Sequence, residues 1–383
     1  MVTPADVTAL QIAIQARKPC FLWGGPGIGK TAVTEAIAAA LKEPLWTVIL
    51  SIREPSDQGG LPIVTPDGVR MEPPMWAKQL DKEGHGIVFM DEFNTAPPTT
   101  QSSALRVVHG GWAGDLKLPE ETSFVAAGNP PEISTGAYDL TSAIANRWVH
   151  FKWPLDPNSW CDGMMSGWPE ISVKSLPDNW KSGIASKRGV ISTFIRLRSD
   201  LLYDLPEDPT EQGKAWQSPR TWEMSAHLLA AAASVGFDEK SEVVRKLVAG
   251  CVGDSAQREF TNWFVKLDLR DPEDYLADPR HTPLPNRQDQ TMATLDSVAS
   301  SALDRGHNRR AQVKRYQAAW VVLGRVARSR DKGGMGMPDV VIPAARVLAP
   351  AMPDELENSI PEEVDDVWPI LEAANIDFGP QAA

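Results

Sequence analysis

The sequence has no run of about 18 apolar residues, the length a membrane-spanning helix needs. Its first residues, MVTPADVTAL, lack the basic-then-apolar pattern of a secretory signal. Three cysteines, Cys20, Cys161 and Cys251, are widely spaced and contain no CxxC pair, which speaks against a disulfide framework or a zinc site. The expected compartment is the cytosol. Basic residues are too few for a polyanion-coated protein: the net charge is −12, which disfavours nucleic acid as the main partner. The six histidines, His85, His109, His150, His227, His281 and His307, show no ligand spacing and read as structural or exposed. No internal repeat is visible.

What is present is ordinary in bulk and unusual in detail. Apolar residues make up 42% and charged residues 23% of 383 residues, which fits a soluble globular chain of two or three domains. Fourteen tryptophans are many, and seven of them lie between Trp148 and Trp222, either as core or as an interface.

The first ~155 residues alternate strand and helix signals, the pattern of an open parallel α/β sheet. Thr3, Pro4 and Asp6 make a helix start, and Val7, Leu10 and Ile14 continue it with helical spacing to about residue 17. Strands are predicted at Cys20–Trp23, Leu45–Ile52, Gly86–Met90, Thr122–Asn129 and Arg147–Trp153. Helices are predicted up to Leu41, at Thr99–His109 and at Asp139–Asn146. Gly60–Pro73 and Gly110–Thr122 read as inserted hairpins.

Residues 155–188 are rich in Pro, Gly, Trp and Ser and read as a linker. Helices follow at Val190–Leu202, Pro219–Ala233, Lys240–Cys251 and Ser255–Lys266. A further helical block spans 287–329, with Val313, Tyr316, Trp320, Leu323 and Ala327 on its buried stripe. Asp331–Asp339 is a predicted loop, and the tail from Pro353 is acidic. The basic stretch around Arg309–Tyr316, continued by Arg325, Arg328, Arg330 and Lys332, reads as the solvated face of an amphipathic helix opposed to that tail, with nucleic-acid contact as the alternative. The resulting division is 1–154, 155–188, 189–266, 267–352 and 353–383.

One stretch carries the chemistry. Gly24-Gly25-Pro26-Gly27-Ile28-Gly29-Lys30-Thr31-Ala32 is a phosphate-loop pattern between a strand and a helix. Its glycines let backbone N–H groups close on phosphate oxygens, and the helix start adds a positive end. Lys30 is placed to reach the β- and γ-phosphates, and Thr31 to offer its hydroxyl to Mg²⁺. Asp91 follows the third strand, where it can hold Mg²⁺ through water; Glu92 can orient and deprotonate an attacking water. Asn129 ends the fourth strand beside them. Arg147 ends a helix, where the dipole favours it, and Arg220 begins one, where the dipole does not.

In combination these segments resemble AAA+ ATPases of the MoxR-like branch. The residues are GGPGIGKT, VFMDEFNTAPPTTQSSAL, FVAAGNPPEISTGAYDLTSAIANRW and QSPRTW, with EPSDQGG before the first hairpin. The resemblance covers about residues 3–153, and more thinly SPRTW and Gly253–Phe264. It implies an α/β phosphate-loop domain with a five-stranded parallel sheet, an all-α lid and a C-terminal helical extension. It implies that Asn129 is sensor 1, Arg147 an arginine finger and Arg220 sensor 2. It further implies a ring, usually a hexamer, with ATP and Mg²⁺ between subunits, and chaperone-like work on partners carrying a von Willebrand factor A domain. Two motifs depart from the branch: Asp91-Glu92-Phe93-Asn94-Thr95 where Asp-Glu-Ile-Asn-Arg is common, and Asn146-Arg147-Trp148 where Asp-Arg-Phe is common. A nucleic-acid motor or loader, a magnesium-chelatase-like subunit and a nucleotide-gated scaffold share the same loop, and no motif separates ATP from GTP.

Overall fold

A computed structural model describes residues 3–168, 170–328, 338–353, 356 and 362–376. The chain divides into two compact units. One comprises the described residues of Met1–Pro177 and Tyr203–Arg258, the other those of Asp178–Leu202 and Glu259–Ala383.

The first unit is built on a parallel sheet. Its strands are β1 (Cys20–Trp23), β2 (Leu45–Ile49), β5 (His85–Asp91), β8 (Glu121–Gly128) and β9 (Val149–Lys152). Two hairpins supply the rest, β3 (Leu61–Thr65) with β4 (Gly68–Glu72), and β6 (Trp112–Ala113) with β7 (Leu116–Lys117). Among the described residues the five parallel strands run in the order β2–β5–β8–β1–β9. Strands covered on both faces read as continuous apolar runs, and Ile87–Met90 and Val125–Ala127 are accordingly fully buried. Six helices belong to this sheet region: α1 (Pro4–Gln15), α2 (Lys30–Leu41), α3 (Pro55–Gly59), α4 (Met75–Glu83), α5 (Pro98–Gly110) and α6 (Ser142–Ala145). The expected capping box at Thr3 and Asp6 is formed.

The order of strands matters more than their number. β8 lies between β1 and β5, pairing Cys20 with Val125, 105 residues on, and His85 with Glu121, 36 residues on, so that Trp23 is level with Gly128 and Met90 with Ala126. Their C-terminal ends therefore open onto one edge, the place where open α/β sheets take ligands.

Several boundaries differ from the sequence reading. Leu50–Ile52 turns into a 3₁₀ segment rather than extending β2. The helix expected over Asp139–Asn146 is formed only over Ser142–Ala145. Residues 155–188 contain a helix, Pro157–Ser166, that Pro and Gly content concealed. Helices α3 and α4 give too short a periodic signal to read. The two helices expected around Gly253 are by contrast both formed, within Glu242–Leu267, and Gly253 with its non-helical φ of 83° separates them. Five of the seven clustered tryptophans, Trp148, Trp153, Trp180, Trp216 and Trp222, are buried, whereas Trp160 and Trp168 are exposed.

The second unit is helical. Tyr316, Trp320, Leu323 and Ala327 pack in its core as the stripe predicts. From the acidic C-terminal region, Val364, Val367, Ile370 and Leu371 join that core. Two acids there are paired, Asp366 with Arg328 at 2.5 Å and Glu363 with Arg280 at 2.6 Å. The loop predicted over Asp331–Asp339, Arg330 and Lys332 lie outside the described residues, apart from the helix start at Pro338. No helix among the described residues is long and apolar enough to cross a membrane.

His150 in β9 gives the first unit a pH dependence. It is buried, its Nδ1 accepts from Trp23 Nε1 at 2.8 Å, and its Nε2 lies 2.9 Å from the Ala145 carbonyl. Both ring nitrogens are satisfied only in the neutral form with the proton on Nε2. A second proton would face the tryptophan N–H, and burial pushes the pKa down to about 4. The unfolded ring titrates near 6.5, so between about pH 6.5 and 4 the unfolded chain binds the extra proton. Stability is then lost as pH falls through that window, by about 3 kcal/mol in total. Urea unfolding at pH 7 and pH 5 should show a smaller pH-dependent difference in His150→Gln than in the parent. Equal slopes would refute the assignment.

Candidate functional site

The phosphate loop links β1 to α2. Gly27 and Gly29 have φ of 74° and 90°, a left-handed backbone that side chains resist. A Cβ added at either meets nothing within 4 Å, so conformation rather than crowding demands glycine there. α2 begins at Lys30 with no side-chain cap, leaving first-turn N–H groups available to an anion. Lys30 is 8% exposed and arches back over the loop. Its ammonium donates to the carbonyls of Gly24 (2.7 Å) and Gly25 (2.8 Å) and to Asn129 Oδ1 (3.0 Å). Burial lowers its pKa, and the Asp91 carboxylate opposes that shift.

Thr31 and Asp91 meet across the same edge. The Thr31 hydroxyl donates to Asp91 Oδ2 at 3.0 Å. Among the described residues no three His, Cys, Asp or Glu side chains gather into a cation site. A hydroxyl and one carboxylate are what a phosphate-held Mg²⁺ takes from protein, so this oxygen pair fits that ion.

Glu92 is exposed and sits in the left-handed region with φ 52° and ψ 39°. For a residue with a Cβ this costs about 1–2 kcal/mol. It turns the chain abruptly off β5, and the Glu92 N–H bonds to Asp91 Oδ1 at 2.9 Å. The Glu92 carboxylate accepts from the Ser51 hydroxyl. Sequence reasoning missed Ser51. Its role depends on β2 lying beside β5, a neighbourhood that no local signal reports.

Asn129 extends from the end of β8. Its main chain is held by the side chain of Asn94, which was likewise not singled out in sequence. Lys30, Thr31, Asp91, Glu92 and Asn129 thus lie along one edge, with Lys30 bonded to Asn129 and Thr31 to Asp91.

Arg147 and Arg220 form a second group. Arg147 follows α6, is half-buried, and donates to the Ala143 carbonyl at 2.5 Å. Arg220 lies in the first turn of Pro219–Ser234, whose N-cap Ser218 forms a capping box with Thr221. Buried Asn146 ties the two segments together. Its Oδ1 accepts from Ser218 Oγ at 2.9 Å and from Arg220 Nη1 at 3.3 Å. Arg147 is lowered in pKa by burial and then by Arg220. His109, at the end of α5, is pushed down to about 4 by burial and then by both arginines. Neither arginine has a carboxylate partner among the described residues. Two guanidiniums left unneutralised make a surface suited to an anion. Among the described residues, no hydrogen bond joins this group to Lys30, Thr31, Asp91, Glu92 or Asn129.

Residues 19–147 match the family described as AAA domain (dynein-related subfamily). Among solved structures, a putative ATPase from Cytophaga hutchinsonii is 16% identical, with 68% of this chain and 88% of that one covered at a TM-score of 0.44. A full-length MCM homolog from Methanopyrus kandleri is 15% identical, with 68% and 54% covered at 0.37. A RuvB mutant from Thermotoga maritima is 12% identical, with 98% and 89% covered at 0.28. At such TM-scores the fold rests on the family match and the chain's own strand order. No curated protein sequence matches this chain. With the phosphate loop between β1 and α2 and the sheet order given above, residues 19–147 are an AAA+ ATPase domain of the phosphate-loop NTPase superfamily.

Proposed function

We propose that this chain hydrolyses ATP with Mg²⁺ and works as a subunit of a ring, on motif grounds a hexamer of the MoxR-like branch. The carrying observation is the single edge on which Lys30, Thr31, Asp91, Glu92 and Asn129 come together. Loop N–H groups and Lys30 bind the triphosphate. Mg²⁺, taken by Thr31 and, through water, by Asp91, would neutralise phosphate charge. Glu92 accepts the proton of a water as its oxygen attacks the γ-phosphorus. Asn129 orients that water, and the bond to the β-bridging oxygen breaks, releasing ADP and phosphate. Arg147 and Arg220, unneutralised and unbonded to this edge, suit a neighbouring subunit's phosphates. Three free cysteines fit the reducing cytosol.

The work is proposed to be remodelling or activation of a protein partner, with a von Willebrand factor A domain as the partner type the motifs suggest. The β3–β4 hairpin supports a protein target: Leu61, Ile63, Val64 and Val69 are all exposed on it, with Val64 84% exposed. A second reading, a motor or loader on nucleic acid, is favoured by Arg305, Arg310 and Lys314. These are exposed around the start of Arg309–Arg328 and unpaired with carboxylates among the described residues.

Phosphate release by the full chain, with Mg²⁺ and after chelation, tests the common core. Mg²⁺-dependent turnover is expected, and ATP binding without phosphate release would leave only a nucleotide-gated scaffold. Stimulation by single- or double-stranded DNA at moderate salt would decide for the second reading.

A further inference from the structure

We propose that Asn94 is a positioning residue for hydrolysis. Its one amide fixes Asn129 against the Asp91-Glu92 turn and ties in the segment that leads to Arg147. The proposal rests on the hydrolytic reading of Glu92 and Asn129 above.

Asn94 lies in the 3₁₀ turn Phe93–Thr95 that begins directly after Glu92, and its side chain is fully buried. Its Oδ1 accepts from the Asn129 N–H at 3.0 Å. Its Nδ2 donates to the Asn129 carbonyl at 2.8 Å and to the Tyr138 carbonyl at 3.2 Å. The Asn94 carbonyl in turn accepts from the Tyr138 N–H at 2.8 Å. A single side chain therefore grips both main-chain groups of Asn129, as a neighbouring strand would, at the point where β8 has ended. With its backbone held on both sides, Asn129 keeps its own Oδ1 aimed at Lys30.

Few side chains could do this. The grip needs an acceptor and two donors on one planar group of this length, which among the short side chains only asparagine has. Aspartate would turn two attractive contacts into a carboxylate facing two carbonyls. The packing is also specific. A Cβ at Gly128 would stand 2.6 Å from Asn94 Oδ1, so the glycine before Asn129 is what lets the amide come close. Tyr138 lies in the chain between Asn129 and α6, the helix that Arg147 follows. Movement at the nucleotide edge, sensed by Asn129 or by the turn holding Glu92, is thereby shared with the segment carrying the arginine.

The test compares Asn94→Asp, Asn129→Ala and the double variant in steady-state ATP turnover, with affinity read from a fluorescent ATP analogue. Asn94→Asp should lower kcat by roughly 30-fold or more, the scale of losing one oriented polar group at a reacting phosphate. KM and analogue affinity should stay within about threefold, since the loop and Lys30 remain. The double variant should be no slower than the slower single variant by more than about threefold, because both changes disable one unit. A merely structural role predicts instead a fall in melting temperature with kcat and KM moving together. Should Asn94→Asp not fold, Asn94→Ala removes the same donors without adding charge and is read the same way. Normal turnover in the Asn94 variants beside a slow Asn129→Ala, or independent losses that multiply, would overturn the proposal alone. Normal turnover in Asn129→Ala would overturn the underlying reading of Asn129 and the proposal with it.

Discussion

Glu92→Gln is expected to reduce ATP turnover by at least about a hundred-fold, the usual scale of a lost general base. The change is nearly isosteric. An amide can still accept from the Ser51 hydroxyl, and the left-handed backbone at Glu92 is no harder for glutamine than for glutamate. What it cannot do is take a proton from water at neutral pH. The groups assigned to binding lie elsewhere: the loop N–H groups, Lys30, Thr31 and Asp91. Affinity for ATP should therefore stay within about threefold while kcat collapses, the signature of an interaction made only in the transition state. Phosphate release and analogue titration measure the two quantities separately. Turnover within a factor of about two of the parent would remove Glu92 as the base and return the site to a binding or gating role. The variant has a second use. Held with ATP bound, it is the form in which to seek the proposed protein partner.

The elements that sequence made legible are those with local signatures. The phosphate loop is contiguous, and the alternation of Cys20–Trp23, His85–Asp91 and Glu121–Gly128 with helices announces a parallel sheet. Each of those strands also ends in a polar or glycine-rich stretch, so the edge carrying Lys30, Asp91 and Asn129 could be read before their neighbourhood was known. What could not be read depends on strand order and on side chains meeting across the sheet. Ser51 matters because β2 adjoins β5. Asn94 matters because the end of β8 passes over it. Asn146 looks like an ordinary residue at a helix end until Ser218 and Arg220, more than 70 positions away, are seen bonded to it. The Pro157–Ser166 helix was hidden for a different reason. Its composition resembles a linker, and its buried face is little more than Gly163. The buried part of the C-terminal region was masked by its acids, which sit between the apolar residues that pack.

Arg147→Ala and Lys30→Ala should each be nearly inactive alone and partly active when mixed. A finger arginine at a phosphoryl-transfer site is worth on the order of a thousand-fold or more in turnover, and a phosphate-loop lysine is needed to seat the triphosphate. If Arg147 served its own subunit's nucleotide, each chain would carry one broken site, and mixing would repair nothing. The geometry favours the other arrangement. Arg147 is tied to Ala143 and, through the adjacent Asn146, to the Ser218–Arg220 segment, while Lys30 is bound to Gly24, Gly25 and Asn129. In a ring with one shared site per interface, a site works when an Arg147→Ala subunit supplies the loop and a Lys30→Ala subunit supplies the arginine. Random mixing at equal amounts places that pair at about one interface in four, so about a quarter of parent turnover is expected. Co-assembly is checked by pulling down one variant through a tag on the other. Recovery would show that Arg147 acts across the interface, with Arg220 beside it on the same face. Co-assembly without recovery would place Arg147 within its own subunit's site, and the unneutralised arginine pair would then need a different anion.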